Sequence, residues 1–281
     1  MLQKQLKQAH LSTAGATFAR FIYSAPLVAL IVWAYAGYSG QAVPSIPHDF
    51  WGYAIFGALA QILATVCVVA LFGHRNFAVG ITFKKTEVLL SALVGLIVLG
   101  EGVTWLGFAA ICIGLIGVLL LSDPPAATGP LRTRVLNRAT ALGLTSGLFF
   151  AISGVGYRGA SLSLPSGDTF MRAVFTLAVV SAMQVVMMLL WMGWRERAEI
   201  GKVLRAWRKA GLVGLTSMLG SICWFTAFTL QTVAYVNAVG QSELLVSLAI
   251  GALVFREKIS TREWQGIGLL AASVVLLVLF N

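Results

Sequence analysis

Residues 87–101 read EVLLSALVGLIVLGE, and residues 243–257 read ELLVSLAIGALVFRE. A shift of 156 lays Glu87 on Glu243, Ser91 on Ser247, Gly95 on Gly251, Val98 on Val254 and Glu101 on Glu257. Both stretches lie in long apolar runs that are otherwise nearly uncharged. A carboxylate inside a span costs a few kcal/mol at least, so a membrane chain keeps one there for a purpose. Two in register point to an internal duplication and a working site.

The rest of the composition agrees. The chain is 58% hydrophobic and only 11% charged, with a mean hydropathy of +0.87, which leaves too few charges to coat a soluble domain of this length. The apolar runs exceed the roughly 18 residues of a membrane helix and are too unbroken for alternating barrel strands. The expected fold is all-α and polytopic, with nine transmembrane helices in two inverted repeats, four plus five. The expected spans are 15–38, 51–72, 78–99, 104–121, 139–160, 171–193, 211–230, 234–254 and 263–280. The first repeat covers 1–122, a Pro- and Gly-rich linker 123–138, and the second repeat 139–281.

The net charge of +10 does not imply nucleic acid. Basic residues gather in alternate loops, at Lys4 and Lys7, His74 to Lys85, Arg132 to Arg138, Arg195 to Lys209 and Arg256 to Arg262. The intervening loops hold almost none, Arg158 and Arg172 excepted. That alternation is the positive-inside pattern and places the N-terminus in the cytoplasm. Within 195–209, Ile200, Val203, Leu204 and Trp207 share a helical face among arginines and lysines. This suits a short helix on an anionic leaflet; a solvated basic loop is the alternative. Cys67, Cys112 and Cys223 lack metal-ligand or disulfide spacing.

The Ala34-Tyr35-Ala36 triplet mimics a signal-cleavage site. However, Thr17-Phe18-Ala19-Arg20 recurs as Thr169-Phe170-Met171-Arg172, so the first run belongs to the duplicated body. Trp51 and Trp207, Phe72 and Phe228, and Ala78 and Ala234 repeat at the 156-residue offset.

On these residues the chain resembles the EamA-type members of the drug/metabolite transporter superfamily. The resemblance is carried by Thr17-Phe18-Ala19-Arg20-Phe21, the Gly100-Glu101 turn, and Arg256-Glu257-Lys258-Ile259-Ser260 followed by Trp264 and Gly266. It implies two inverted five-helix repeats and export or exchange of small polar metabolites. Against that pattern the first helix is missing: either the start is truncated, which would leave one wall of the site open, or this is a natural nine-span form.

The candidate binding residues are Glu87, Glu243, Lys84, Lys85, Gln241, Asn237, Arg20, Arg172 and Trp224. Lys84 lies one turn before Glu87 and fits an intrahelical ion pair at membrane depth; snorkelling to the interface is the alternative. Gly240, Gln241 and Ser242 replace the lysines in the second copy, so Glu243 is expected to stand without a cationic neighbour. A lone carboxylate in apolar surroundings has its charged form disfavoured and suits proton coupling. Arg20 and Arg172 fit either carboxylate binding or interfacial anchoring. Glycines 143, 147, 154, 156 and 159 fit close helix packing.

The function expected is secondary transport of small polar metabolites such as amino acids or organic acids, by alternating access, in a bacterial inner membrane. The partners are the solute, the bilayer and a coupling proton, with no nucleic acid and no cofactor. Isolated His10, His48 and His74, and the lack of nucleotide-loop or hydrolase motifs, argue against an enzyme. A membrane subunit without transport activity is the alternative.

Overall fold

Twelve helices make up the described part of the computed structural model, residues 11–73, 77–121, 138–254 and 260–279. The expected linker, the Arg256-Glu257-Lys258-Ile259 turn, His10 and His74 lie outside the described residues. Among the described residues, six helices are long and apolar enough to cross a membrane: α1 (Thr13–Ser39), α2 (His48–Leu71), α6 (Arg138–Ser163), α7 (Thr169–Arg195), α9 (Trp207–Leu230) and α12 (Thr261–Leu279). The apolar α5 (Trp105–Leu121) is shorter, at 17 residues. Two expected spans are each broken in two. Residues 78–99 form α3 (Phe77–Lys84) and α4 (Glu87–Leu99), and 234–254 form α10 (Val233–Gly240) and α11 (Glu243–Val254).

The chain divides into two compact units that do not follow the two sequence halves. One contains residues 1–73 and 152–231, the other 74–151 and 232–281, and the boundary falls within α6. Each unit therefore draws on both halves.

In the first unit α1 packs against α7 and α9. The ends of α1 fix its direction relative to α7. At the start, Ser12 caps α1 through its hydroxyl, which accepts from the Gly15 N–H at 3.0 Å. The Ser12 N–H donates to Glu199 Oε2 at 2.8 Å and its hydroxyl to Glu196 Oε2 at 2.6 Å. Both glutamates follow α7. At the far end, Tyr35 donates to Asp168 Oδ2 at 2.7 Å, immediately before α7. The two helices are thus antiparallel. Phe18, Phe21, Met188 and Met192 fill the space near the Ser12 end. Close approach of α6 to α2 needs glycine. A Cβ on Gly156 would sit 2.8 Å from the Tyr53 carbonyl oxygen, and one on Gly159 2.6 Å from the Tyr53 ring.

The basic segment after α7 forms α8 (Arg197–Arg205). Val203 is fully buried and Ile200 packs against the same core, whereas Leu204 and Trp207 remain exposed. The four apolar side chains therefore do not act as one outward face. Burial pushes the Glu199 carboxyl up, but hydrogen bonds from Lys202 and Ser12 hold it below the usual carboxylate range.

Asp168 caps α7 by accepting the Met171 N–H at 2.7 Å and also accepts the Gln41 side-chain amide at 2.8 Å. The Met171 bond first, then Tyr35 and Gln41, hold its carboxyl below its ordinary range. A depressed native value favours the carboxylate, so its stabilisation is complete above the unfolded value of about 3.9 and fades as pH falls through the native one. Asp168→Ala is expected to cost about 1 kcal/mol at neutral pH, the usual worth of such a cap. The gap to wild type should narrow below about pH 4. Thermal unfolding of the two proteins at neutral and acidic pH measures this; a gap of the same size at both contradicts it.

In the second unit α5 and α12 form the tightest helix pair. Gly117 and Gly266 meet there: a Cβ on either would lie 2.9–3.0 Å from the other's carbonyl oxygen. The Ser273 hydroxyl donates to the Ala110 carbonyl at 2.6 Å across the same seam. Ser260 and Glu263 start α12 as a reciprocal capping box, with Ser260 N–H to Glu263 Oε2 at 2.7 Å and Glu263 N–H to Ser260 Oγ at 3.3 Å.

Candidate functional site: paired helix breaks and a polar cavity

Both breaks in the second unit come from the same local event. At Lys85 and Thr86 the backbone N–H groups bond three residues back, to Thr82 and Phe83, rather than four. Gln241 and Ser242 do the same, to Ala238 and Val239. Each break therefore tightens one turn and restarts the helix on a glutamate, Glu87 or Glu243. A carboxylate there is favoured by the positive end of the new helix dipole. The matched sequence positions thus become matched structural positions.

The charges at the breaks are paired. Lys84 Nζ lies 2.7 Å from Glu87 Oε2 within the first break, and also stands 4.4 Å over the Phe150 ring. Lys85 Nζ lies 2.6 Å from Glu243 Oε1, joining the two breaks. This corrects the expectation that Glu243 has no cationic neighbour. The spacing in its own sequence copy holds none, but Lys85 arrives from the other copy, 158 residues away. The argument for a lone proton-carrying carboxylate loses its basis. The expected Lys84–Glu87 pair is present.

Nearby polar side chains brace the crossing of α10 on α4. Asn237 donates to the Ser91 hydroxyl at 2.8 Å, and Ser91 to the Glu87 carbonyl at 2.6 Å. The Gln241 amide donates to the Asn237 carbonyl at 3.2 Å, while its buried Oε1 has no partner. Gln241 lines a small, mainly apolar cavity with Val88, Ile111 and Ala238. The α6 helix presses on the first break: a Cβ on Gly147 would meet the Lys84 carbonyl oxygen at 2.9 Å.

Arg20 lies in the first unit. It is the eighth residue of α1, about 10 Å along the helix from its start, and is half-buried. It lines a small, partly open cleft with a cavity volume of ≈ 20 Å³. Gln61, Tyr157 and Gln184 reach the same cleft from α2, α6 and α7, and Ser217 and Ser221 from one face of α9. Gln184 donates to the Tyr157 hydroxyl at 3.0 Å, and the Ser153 hydroxyl to Gln61 Oε1 at 2.7 Å. Sequence reasoning missed this group. The available signals were the mid-span amides Gln61 and Gln184 and the i, i+4 serines on α9.

The remaining candidates stand apart from that cleft. Arg172, in the first turn of α7, has a buried Nε without a partner. Trp224 is partly exposed and lies 5.6 Å from the Phe228 ring. Arg158, an exception to the loop-charge pattern, donates to the Phe228 and Thr229 carbonyls at 2.6 and 3.5 Å. It thereby satisfies the last turn of α9, where carbonyls lack helical partners.

The EamA-like transporter family model matches residues 137–279, just over half of the chain. A solved protein crystal structure aligns with 99% of this chain and 93% of its own, at 15% identity and a TM-score of 0.66; at that identity the likeness concerns the fold alone. The family match and six long apolar helices make this an integral, multi-pass membrane protein. Duplicated acidic helix starts, apolar spans and the matched second half converge on one assignment: the chain belongs to the EamA-like transporter family, within the drug/metabolite transporter superfamily.

Proposed function

We propose that this protein is a secondary carrier of small polar metabolites, exporting or exchanging them by alternating access. The observation that carries the reading is the pair of matched helix breaks, each restarting on a glutamate and joined by the Lys85–Glu243 ion pair. Discontinuous helices in duplicated halves are where secondary carriers hold solutes and coupling ions. Broken segments also bend more readily than continuous helices. Loop charge supports a cytoplasmic N-terminus in a bacterial inner membrane, with the halves inserted in opposite senses.

The test is uptake of labelled amino acids and organic acids by vesicles containing the purified protein. Saturable uptake above that of protein-free vesicles is expected for at least one solute. No flux of any solute favours a subunit without transport activity. Glu87→Gln and Glu243→Gln, assayed with and without an imposed pH gradient, test the coupling proton. A pH-driven component that survives both substitutions removes these carboxyls from that role.

A further inference from the structure

We propose that the cleft around Arg20 is an anion site that takes the carboxylate group of a small organic acid or amino acid. The proposal rests on the carrier reading for its use. Arg20 is a permanent cation placed about two turns into a membrane helix. None of the described carboxylates pairs with it. Holding a guanidinium at membrane depth without a counter-ion is costly, and an entering carboxylate relieves that cost with two parallel N–H···O bonds.

The lining favours an anion over a cation. Among the described residues, no acidic side chain lines the cleft. The Gln61 carbonyl oxygen already accepts from Ser153, so its remaining polar group is an NH2 donor. The Tyr157 hydroxyl is already engaged by Gln184 and by Ser153. Ser217 and Ser221 add hydroxyls one turn apart on α9. An arginine fork, an amide and serine hydroxyls thus converge from separate helices. A planar carboxylate fits a fork of this kind better than a point charge does.

The experiment is equilibrium binding to the full-length protein in lipid nanodiscs, with sodium lactate, sodium succinate and sodium phosphate as probes at constant chloride. Saturable binding of lactate or succinate is expected. Arg20→Lys keeps the charge but loses the fork, and should weaken binding by roughly tenfold or more, as loss of one charge-assisted hydrogen bond implies. Arg20→Gln should abolish it. Gln61→Leu leaves the cation in place and should weaken binding severalfold, which keeps the proposal testable should Arg20→Gln fail to fold. Absence of carboxylate binding to wild type, binding of phosphate alone, or unchanged binding in Arg20→Lys and Gln61→Leu overturns the proposal. Arg20-dependent binding without flux in vesicles supports the anion site while removing the carrier reading. Flux with no Arg20-dependent binding does the reverse.

Discussion

Charge reversal at Glu243 is expected to reduce flux at least tenfold, and reversing Lys85 in the same molecule to restore most of it. Lys85 and Glu243 touch at 2.6 Å, but their settings differ: the lysine side chain keeps 8% of its surface and the glutamate 64%. The buried ammonium depends on its partner. Removing one member of a buried pair typically costs about 3–5 kcal/mol because the other charge stays desolvated. The openness of Glu243 places this pair toward the lower end. Glu243→Lys goes further by putting a second ammonium against the first and forcing the two breaks apart. Lys85→Glu with Glu243→Lys rebuilds the attraction with its sense inverted. Flux and thermal stability of the two single variants and the double variant form a cycle that isolates the pair. Additive losses in the double variant mean that the pair does not join the breaks.

Gly143→Ala is expected to destabilise the protein by about 3 kcal/mol, the upper part of the usual range for overpacking. A Cβ at that position falls far inside van der Waals contact with the Gly80 carbonyl oxygen, and its nearest neighbours are all backbone atoms of Gly80. No side chain can rotate to make room, so α6 must lift from α3. Because α3 runs directly into the Lys85 break, the displacement should reduce flux as well. Gly193→Ala is the matched control, since nothing lies within 4 Å of its Cβ position. There, alanine's better helix propensity should leave stability equal or slightly raised. Thermal melts of both variants in detergent decide this; a Gly143→Ala protein that melts with wild type contradicts the packing described for α3 and α6.

Local features of the structure were legible in the sequence. Hydropathy located the long helices, because a span must be continuously apolar over its whole length. The lysines before Glu87 leave too few apolar residues after them to cross a bilayer, which is the sequence feature that goes with the break between α3 and α4. The Lys84–Glu87 contact followed from helical spacing, and Gly143, Gly147, Gly156 and Gly159 do sit at close contacts. What stayed hidden was pairing between distant segments. Nothing near Glu243 in the chain announces Lys85, and nothing near Arg20 announces Gln61, Tyr157 or Gln184. Those neighbours depend on which helices pack together. Each of the two compact units draws on segments of both halves, a grouping that no local signal in the chain marks. The break at Gln241–Ser242 was also obscure, because no charge interrupts the apolar run there. Only its register with the first copy hinted at it.

Counterflow tests the carrier reading most directly. Vesicles holding the full-length protein are loaded with a high concentration of an unlabelled solute, diluted, and offered a trace of the same solute with a label. A carrier that returns its site loaded faster than empty should accumulate label transiently above the outside concentration, and the overshoot should vanish in Glu243→Lys. Uptake that approaches equilibrium without overshoot, rises linearly with concentration and ignores the internal solute would contradict a carrier cycle built on the two helix breaks.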